Sequence, residues 1–243
     1  MNLYSGFLQP ELYFENPKVA RFIEVLREPE VESASRDQIK WLKRNMMATD
    51  DINTLVEQLS AEARETIINT GTITPQFIGY LDHEHRVKFS SEAKIPTTYT
   101  AVKRFLRAGK ALGLSRTAQC LFFVAMQPLK DDTPAFGNDI EDPCPWGILV
   151  IGSSLRGNCF VHLERMVRKD GLDFETVYHN ILREGQYNYP FSKFFHIEDY
   201  EEMKGIIEQV LKLTSEPISE KQCLINFATT LKALHFFGYS EHF

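Results

Sequence analysis

The segment 86–95 constrains the fold most strongly, because polar residues alternate with apolar or small ones along its length. Successive side chains of a β-strand point to opposite faces of a sheet. The alternation therefore predicts a strand with one face on a core and the other open to solvent or a partner. Pro96 ends the segment, and residues 96–112 have the spacing of an amphipathic helix.

The same region is strongly basic. Between Arg86 and Arg116 only Glu92 is acidic, although the whole chain has a net charge of −6. A basic surface on an acidic chain is typical of proteins that bind polyanions. The basic residues of the region are Arg86, Lys88, Lys94, Lys103, Arg104, Arg107, Lys110 and Arg116.

Composition favours an ordinary globular protein, since 43% of the 243 residues are hydrophobic and 25% are charged. The first residues lack the basic start and apolar core of a signal peptide, and no apolar run approaches the roughly 20 residues of a membrane span. We therefore expect a cytoplasmic protein without membrane contact. The cysteines are widely spaced, which argues against a zinc ribbon and predicts free thiols in a reducing compartment. They are Cys120, Cys144, Cys159 and Cys223.

We expect three regions along the chain. Residues 1–75 predict a helical unit, with helices that start near Pro17 and Thr49 and a stop at Gly71. Residues 76–130 hold the alternating strand and the basic helix, and residues 146–243 predict a small α+β unit. A loop rich in Pro, Gly, Asn and Asp separates the last two regions.

The predicted fold class depends on whether two segments are helices or strands. Residues 118–127 are almost continuously apolar, a pattern that leaves a buried helix and a buried strand equally open. Residues 173–185 have helical spacing with Asp173 in a capping position, and they predict a helix. The fold class expected is α+β and predominantly helical.

The run from Arg86 to about residue 128 resembles the ribbon-helix-helix DNA-binding proteins, the group of the Arc and Met repressors. The residues that carry the resemblance are "AKIP" at 93–96, "GLSRT" at 113–117, and the spaced apolar residues Val102, Leu106 and Leu112. In that group two chains pair their strands into an antiparallel ribbon that enters the major groove. The resemblance thus implies a ribbon-helix-helix-like central segment within the α+β chain.

The resemblance also implies a function and a set of site residues. It implies a homodimeric, sequence-specific regulator of transcription that binds double-stranded DNA without catalysis, cofactor or metal, in the manner of plasmid- or phage-borne regulators. The base-contacting residues would be Lys88, Ser90, Glu92 and Lys94. The phosphate-contacting residues would be Lys103, Arg104, Arg107, Ser115, Arg116 and Thr117, the last three at the start of a second helix.

Other interpretations of the same region stay open. A helix-turn-helix around Gly113 predicts the same partner, although Gln119 stands where such motifs bury an aliphatic residue. Asp82, Glu92 and Lys94 together resemble the site of a metal-dependent nuclease, in which the carboxylates hold Mg²⁺ and the lysine orients a water. A third interpretation is a protein-interaction adaptor whose basic face is merely solvated.

The remaining candidate residues favour structural roles. His83 and His85 share a polar turn that lacks further metal ligands. His162 and Glu164 alternate along one strand, a pattern that predicts a satisfied polar pair. The segment "GSSLRGN" at 152–158 can cradle an anion, but a tight turn explains it equally well.

Overall fold

The computed structural model describes residues 17–82, 84–90, 99–129, 143–168, 171–183, 194–195, 200–213 and 218–236. Within these residues the chain forms six α-helices and six β-strands. The helices are α1 (Pro17–Leu26), α2 (Pro29–Arg44), α3 (Thr49–Thr70), α4 (Tyr99–Arg116), α5 (Tyr200–Lys212) and α6 (Glu220–Phe236). The strands are β1 (Gln76–Tyr80), β2 (Arg86–Ser90), β3 (Cys120–Pro128), β4 (Pro143–Ser154), β5 (Asn158–Arg168) and β6 (Leu172–Arg183).

All six strands belong to one sheet in the order β2-β1-β3-β4-β5-β6, and every neighbouring pair is antiparallel. The sheet therefore joins strands from both sides of the predicted loop at 131–145, most of which lies outside the described residues. The division of the chain into three regions stays a prediction.

Helices cover both faces of the sheet. Apolar residues of α3, among them Ile52, Leu59 and Ile67, pack on one face. On the other face α4, α5 and α6, with α1 and α2 behind them, share a second core with strand residues such as Phe77 and Phe123. The sheet is thus the middle of three layers.

Strand β3 shows why its sequence is ambiguous. Leu121 and Phe123 face the α4 layer, whereas Phe122 and Val124 face α3. A strand that is buried on both faces loses the alternation of polar and apolar residues, so it resembles a buried helix. The pairing of β3 with both β1 and β4 resolves the ambiguity at 118–127 in favour of a strand.

The predicted fold class is wrong, because a six-stranded antiparallel sheet forms the centre of the molecule. The expected ribbon-helix-helix order is replaced by β2, α4 and β3, so that a strand stands where the second helix was predicted. Residues 173–185 were also predicted incorrectly as a helix. Residues 173–183 of this range belong to β6, whose β-branched and aromatic residues pair along the whole of β5, and 184–185 lie outside the described residues.

The predicted stop of α3 at Gly71 is confirmed, whereas the predicted cap at Thr49 is off by one residue, because Ala48 is the N-cap. The helix begins at Thr49, and Gly71 follows its last residue with a left-handed φ of 80°. Glycine adopts that conformation without a Cβ penalty, so it ends a helix readily. Gly113, by contrast, does not end α4, which continues to Arg116. None of the described helices is both long and apolar enough to traverse a bilayer.

Candidate functional site

The structure places the residues predicted to contact bases only in part. Lys88 lies on β2 opposite Ile78 of β1, which packs beneath α3, and its Nζ lies 3.5 Å from Glu62 Oε2 of that helix. Ser90 ends β2, but its side chain is not among those described. Glu92 and Lys94 lie outside the described residues altogether.

The residues predicted to contact phosphates lie on α4, across the sheet from Lys88. Helix α4 packs on the opposite layer through Phe105, which stacks on Phe77 and Phe123. Lys103 and Arg104 are exposed there. The guanidinium of Arg107 instead lies against Gly205 of α5, where a Cβ would be 2.3 Å from the Arg107 side chain. Among the side chains that the structure describes, Lys88 and the α4 residues therefore lie on opposite sides of the sheet.

Ser115 and Arg116 end α4 and Thr117 follows it, so the three do not start a second helix. Ser115 is buried and donates its hydroxyl hydrogen to Leu112 O, whereas Thr117 donates to Asn226 O of α6. The carboxyl end of a helix carries a partial negative charge, which repels phosphate. The prediction of a helix amino terminus at these residues is therefore wrong, and Thr117 and the Ser115 carbonyl instead bond Asn226 of α6.

Asp82, the first residue of the nuclease alternative, forms part of the β1–β2 turn. Its Oδ1 accepts hydrogen bonds of 2.8 Å from the backbone N–H groups of Glu84 and His85, and both oxygens lie 2.9 Å from His85 Nδ1. The described part of the chain holds no group of three or more His, Cys, Asp or Glu residues arranged to bind a metal ion. The turn at 152–158 likewise uses its own groups, since Arg156 N–H donates to Ser154 Oγ.

A line of three titratable side chains crosses β5 and β6 beneath α3. Glu164 Oε1 lies 2.9 Å from His162 Nε2, and His162 Nδ1 lies 2.7 Å from His179 Nδ1. Glu164 and His162 are buried, with 3% and 5% of their surface exposed, whereas His179 is exposed. The line therefore connects a buried carboxylate with solvent through one buried imidazole.

A β-bulge brings His179 into this line. His162 pairs with His179 and Glu164 pairs with Thr176, so β6 has one more residue than β5 between the two pairs. The extra residue reverses which side chains face α3. Thr176 and His179 consequently share that face although three positions separate them.

Helix α3 supplies the other wall of the site. Glu57, Ser60 and Arg64 lie three and four residues apart, so they share one helix face. Arg64 Nε lies 3.3 Å from Glu164 Oε2, and the Ser60 hydroxyl also contributes to the environment of that carboxyl. Burial alone would raise the pKa of Glu164. The hydrogen bond from His162, with the charges of Arg64 and His162, outweighs burial and holds the pKa below its ordinary value.

These side chains line a cavity of about 300 Å³, which we call the α3–β6 cleft. A cavity of this size is at the small end of ligand-binding sites. Sequence reasoning found the alternation of His162 with Glu164 but missed the other residues, since neither the bulge nor the position of α3 over the sheet is visible in a local pattern. The lining residues are Glu57, Arg64, His162, Glu164, Phe174, Thr176 and His179.

The described cysteines do not add a nucleophile to the site. Cys120, Cys159 and Cys223 are free and buried. Burial raises the pKa of Cys159 to about 12 and that of Cys223 to about 11, and it raises the pKa of Cys120 as well. Thiols in this state are poor nucleophiles because the thiolate is scarce.

Comparison with known proteins yields no relative: no family model matches the chain, and no curated protein or solved structure is significantly similar to it.

Proposed function

We propose that this protein is an acid–base catalyst that acts on a small polar molecule in the α3–β6 cleft, with His179 exchanging the proton. The observation that carries the proposal is the line of hydrogen bonds from Glu164 through His162 to His179. A carboxylate that orients one imidazole is the arrangement by which hydrolytic enzymes hold a histidine base. Here a second imidazole extends it to the cleft.

The protons of the line can be counted. Glu164 is ionised, so its carboxylate accepts from His162 Nε2–H. When both imidazoles are neutral, His162 Nδ1 accepts from His179 Nδ1–H, which leaves a lone pair on His179 Nε2. When Nε2 takes a proton, the Nδ1 proton can pass to His162. The positive charge then lies beside Glu164, which stabilises it.

Hydrolysis of p-nitrophenyl acetate tests the proposal, because an unprotonated imidazole catalyses cleavage of that ester. We expect His179→Ala to lower the rate of the protein by about 100-fold, the lower end of the usual contribution of a general acid or base. His162→Gln and Glu164→Gln should each give a partial loss, since they interrupt the line but leave His179 in place.

His85 provides the matched control. It is another exposed imidazole whose Nδ1 lies 2.9 Å from a carboxylate, but it stands in a surface turn outside the cleft. His85→Ala should leave the rate unchanged. Equal rates for the wild type, His179→Ala and His85→Ala would show that the line is only a structural polar cluster, and the proposal would fail.

The interpretation of the chain as a dimeric DNA-binding regulator stays a prediction. Its support is the basic composition of 86–116. The hydrogen-bond line lies outside that region, and it is the reason for proposing a catalytic role that the sequence alone did not predict.

A further inference from the structure

Arg64 is the described cation that lines the α3–β6 cleft, and its contact with Glu164 leaves much of it available. That contact is made by Nε at 3.3 Å, and neither Nε nor Glu164 Oε2 has a hydrogen-bond partner among the described residues. A bidentate pair between arginine and a carboxylate would have two parallel bonds of about 2.8 Å. The side chain is also 41% exposed. Its planar fork of N–H groups is therefore not saturated by Glu164.

Among the described residues, the cleft has one cation, Arg64, and two carboxylates, one of which contacts it while the other lies farther along α3. Glu57 precedes Arg64 by seven residues on α3, which separates the two by about 10 Å along the helix axis. Glu57 is exposed, whereas the second carboxylate, Glu164, is buried and lies against both His162 and Arg64. Glu164 offsets part of the charge of Arg64, so the exposed part of the Arg64 side chain is the group that attracts an anion, whereas Glu57 opposes one.

We infer that the molecule bound in the α3–β6 cleft carries an anionic oxygen group, a carboxylate or a phosphate, and that Arg64 holds this group. The inference deepens the proposed function and rests on it for the role of the neighbouring His179. An arginine fork recognises either anion through paired, charge-assisted hydrogen bonds. Arg64 then sets which molecules bind, while the hydrogen-bond line acts on the bound molecule.

Binding without turnover tests the inference. The full chain is titrated with inorganic phosphate in one arm and acetate in another, at constant ionic strength, while the Cε1–H resonance of His179 is followed by NMR. We expect at least one of the two anions to shift this resonance in a saturable manner. Ethylammonium, a third arm, should shift it less than that anion at equal concentration. The two anion arms show which oxygen group the site prefers.

Two substitutions should change the affinity for the anion in opposite directions. Arg64→Gln should weaken anion binding by about tenfold or more, the usual loss of a charge-assisted hydrogen bond. Glu57→Gln should tighten it by about twofold, since a like charge is removed from the far end of the cleft. Arg156→Gln, at an exposed arginine in the β4–β5 turn, should change nothing. Glu57 is exposed, so its variant still tests the inference where Arg64→Gln does not fold.

The inference is overturned if neither anion shifts His179, if ethylammonium shifts it more strongly, or if Glu57→Gln and Arg64→Gln leave the anion titration unchanged. Ester hydrolysis that depends on His179, without anion binding, would keep the proposed function and remove only the inference. Anion binding without such hydrolysis would remove the catalytic role while leaving Arg64 as the anion-binding residue.

Discussion

Glu164 ties the stability of the fold to pH. Its pKa is lowered from the ordinary 4.5 in the folded chain, so the unfolded chain takes up a proton at a higher pH than the folded chain does. The stabilisation from the ionised carboxylate is therefore fully present above about pH 4.5, and it is lost as the pH falls through the folded pKa. Acid should therefore lower the free energy of unfolding by protonating Glu164.

Glu164→Gln isolates that contribution. We expect the variant to be less stable than the wild type by about 2 kcal/mol at neutral pH, because a buried charge-assisted hydrogen bond becomes a neutral one. The difference should shrink as the pH falls below 4.5 in urea unfolding measurements. Glu65→Gln, on the exposed face of α3, is the control. A difference that stayed constant down to pH 3 would contradict the assignment of an ionised Glu164.

Gln119 bonds two connecting segments, α2–α3 and β1–β2, through one buried side chain. Its Nε2 donates to Asn45 O at 3.0 Å and to Leu81 O at 2.9 Å, and its Oε1 accepts from Met47 N–H at 2.7 Å. The sequence marked this residue as unusual, since a helix-turn-helix would have an aliphatic side chain here. The structure explains it, because β3 begins where the α2–α3 and β1–β2 connections meet.

Gln119→Leu should therefore destabilise the protein by about 3 kcal/mol, because three backbone groups lose their partner. Gln58→Leu, at an exposed position of α3, should change the free energy of unfolding by less than about 0.5 kcal/mol. Thermal and urea unfolding measure both. Equal effects of the two changes would show that solvent satisfies the three groups.

Residues were predictable where a local pattern determines them. Gly71 could be assigned because glycine is characteristic of helix ends, and the alternation of His162 with Glu164 placed both on one face of a strand. Arg64 and Glu57 were not predictable as site residues. Nothing distinguishes them from other charges on α3 until the helix is placed over β5 and β6.

Among the strands and helices, β6 shows why a bulge makes both a strand and a site difficult to predict from sequence. Its apolar residues include Val177, Ile181 and Leu182, and this spacing mimics a helix. The bulge interrupts the alternation that would have identified a strand. Pairing with β5, which no local pattern reports, decides the outcome, and the same bulge places His179 opposite His162.

Strand β4 approaches the backbone of Glu164 closely at Gly147. A Cβ at Gly147 would lie 2.3 Å from Glu164 O, so a side chain there requires β5 to move. We expect Gly147→Ala to destabilise the protein by about 1–3 kcal/mol and to lower the His179-dependent ester hydrolysis. Gly171→Ala has no atom within 4 Å of the new methyl group and should do neither. If Gly147→Ala is destabilised but keeps full hydrolytic activity, the packing of β4 on β5 does not position the hydrogen-bond line.

For the whole molecule, the three layers distribute the basic residues that the sequence groups together. Arg86 hydrogen-bonds Glu62 on the α3 side, whereas buried Lys110 bonds Glu202 between α4 and α5 on the other side. Charge that is continuous in sequence is thus divided by the sheet. Composition locates a basic region in the sequence, but it does not predict a single basic surface.

This division sharpens the test of DNA binding. A duplex that lies on one face of the molecule contacts either Lys88 or Arg104, because Lys88 lies on the α3 side of the sheet and Arg104 on the α4 side. Each lost phosphate contact lowers the salt dependence of binding by about one unit of slope. We therefore expect only one of Lys88→Gln and Arg104→Gln to lower the slope in filter binding at several salt concentrations, with Lys40→Gln on α2 as the control. Equal losses from both would place the duplex across the β2 edge of the sheet. Unchanged binding in both would mean that any DNA contact lies away from the described part of this basic region.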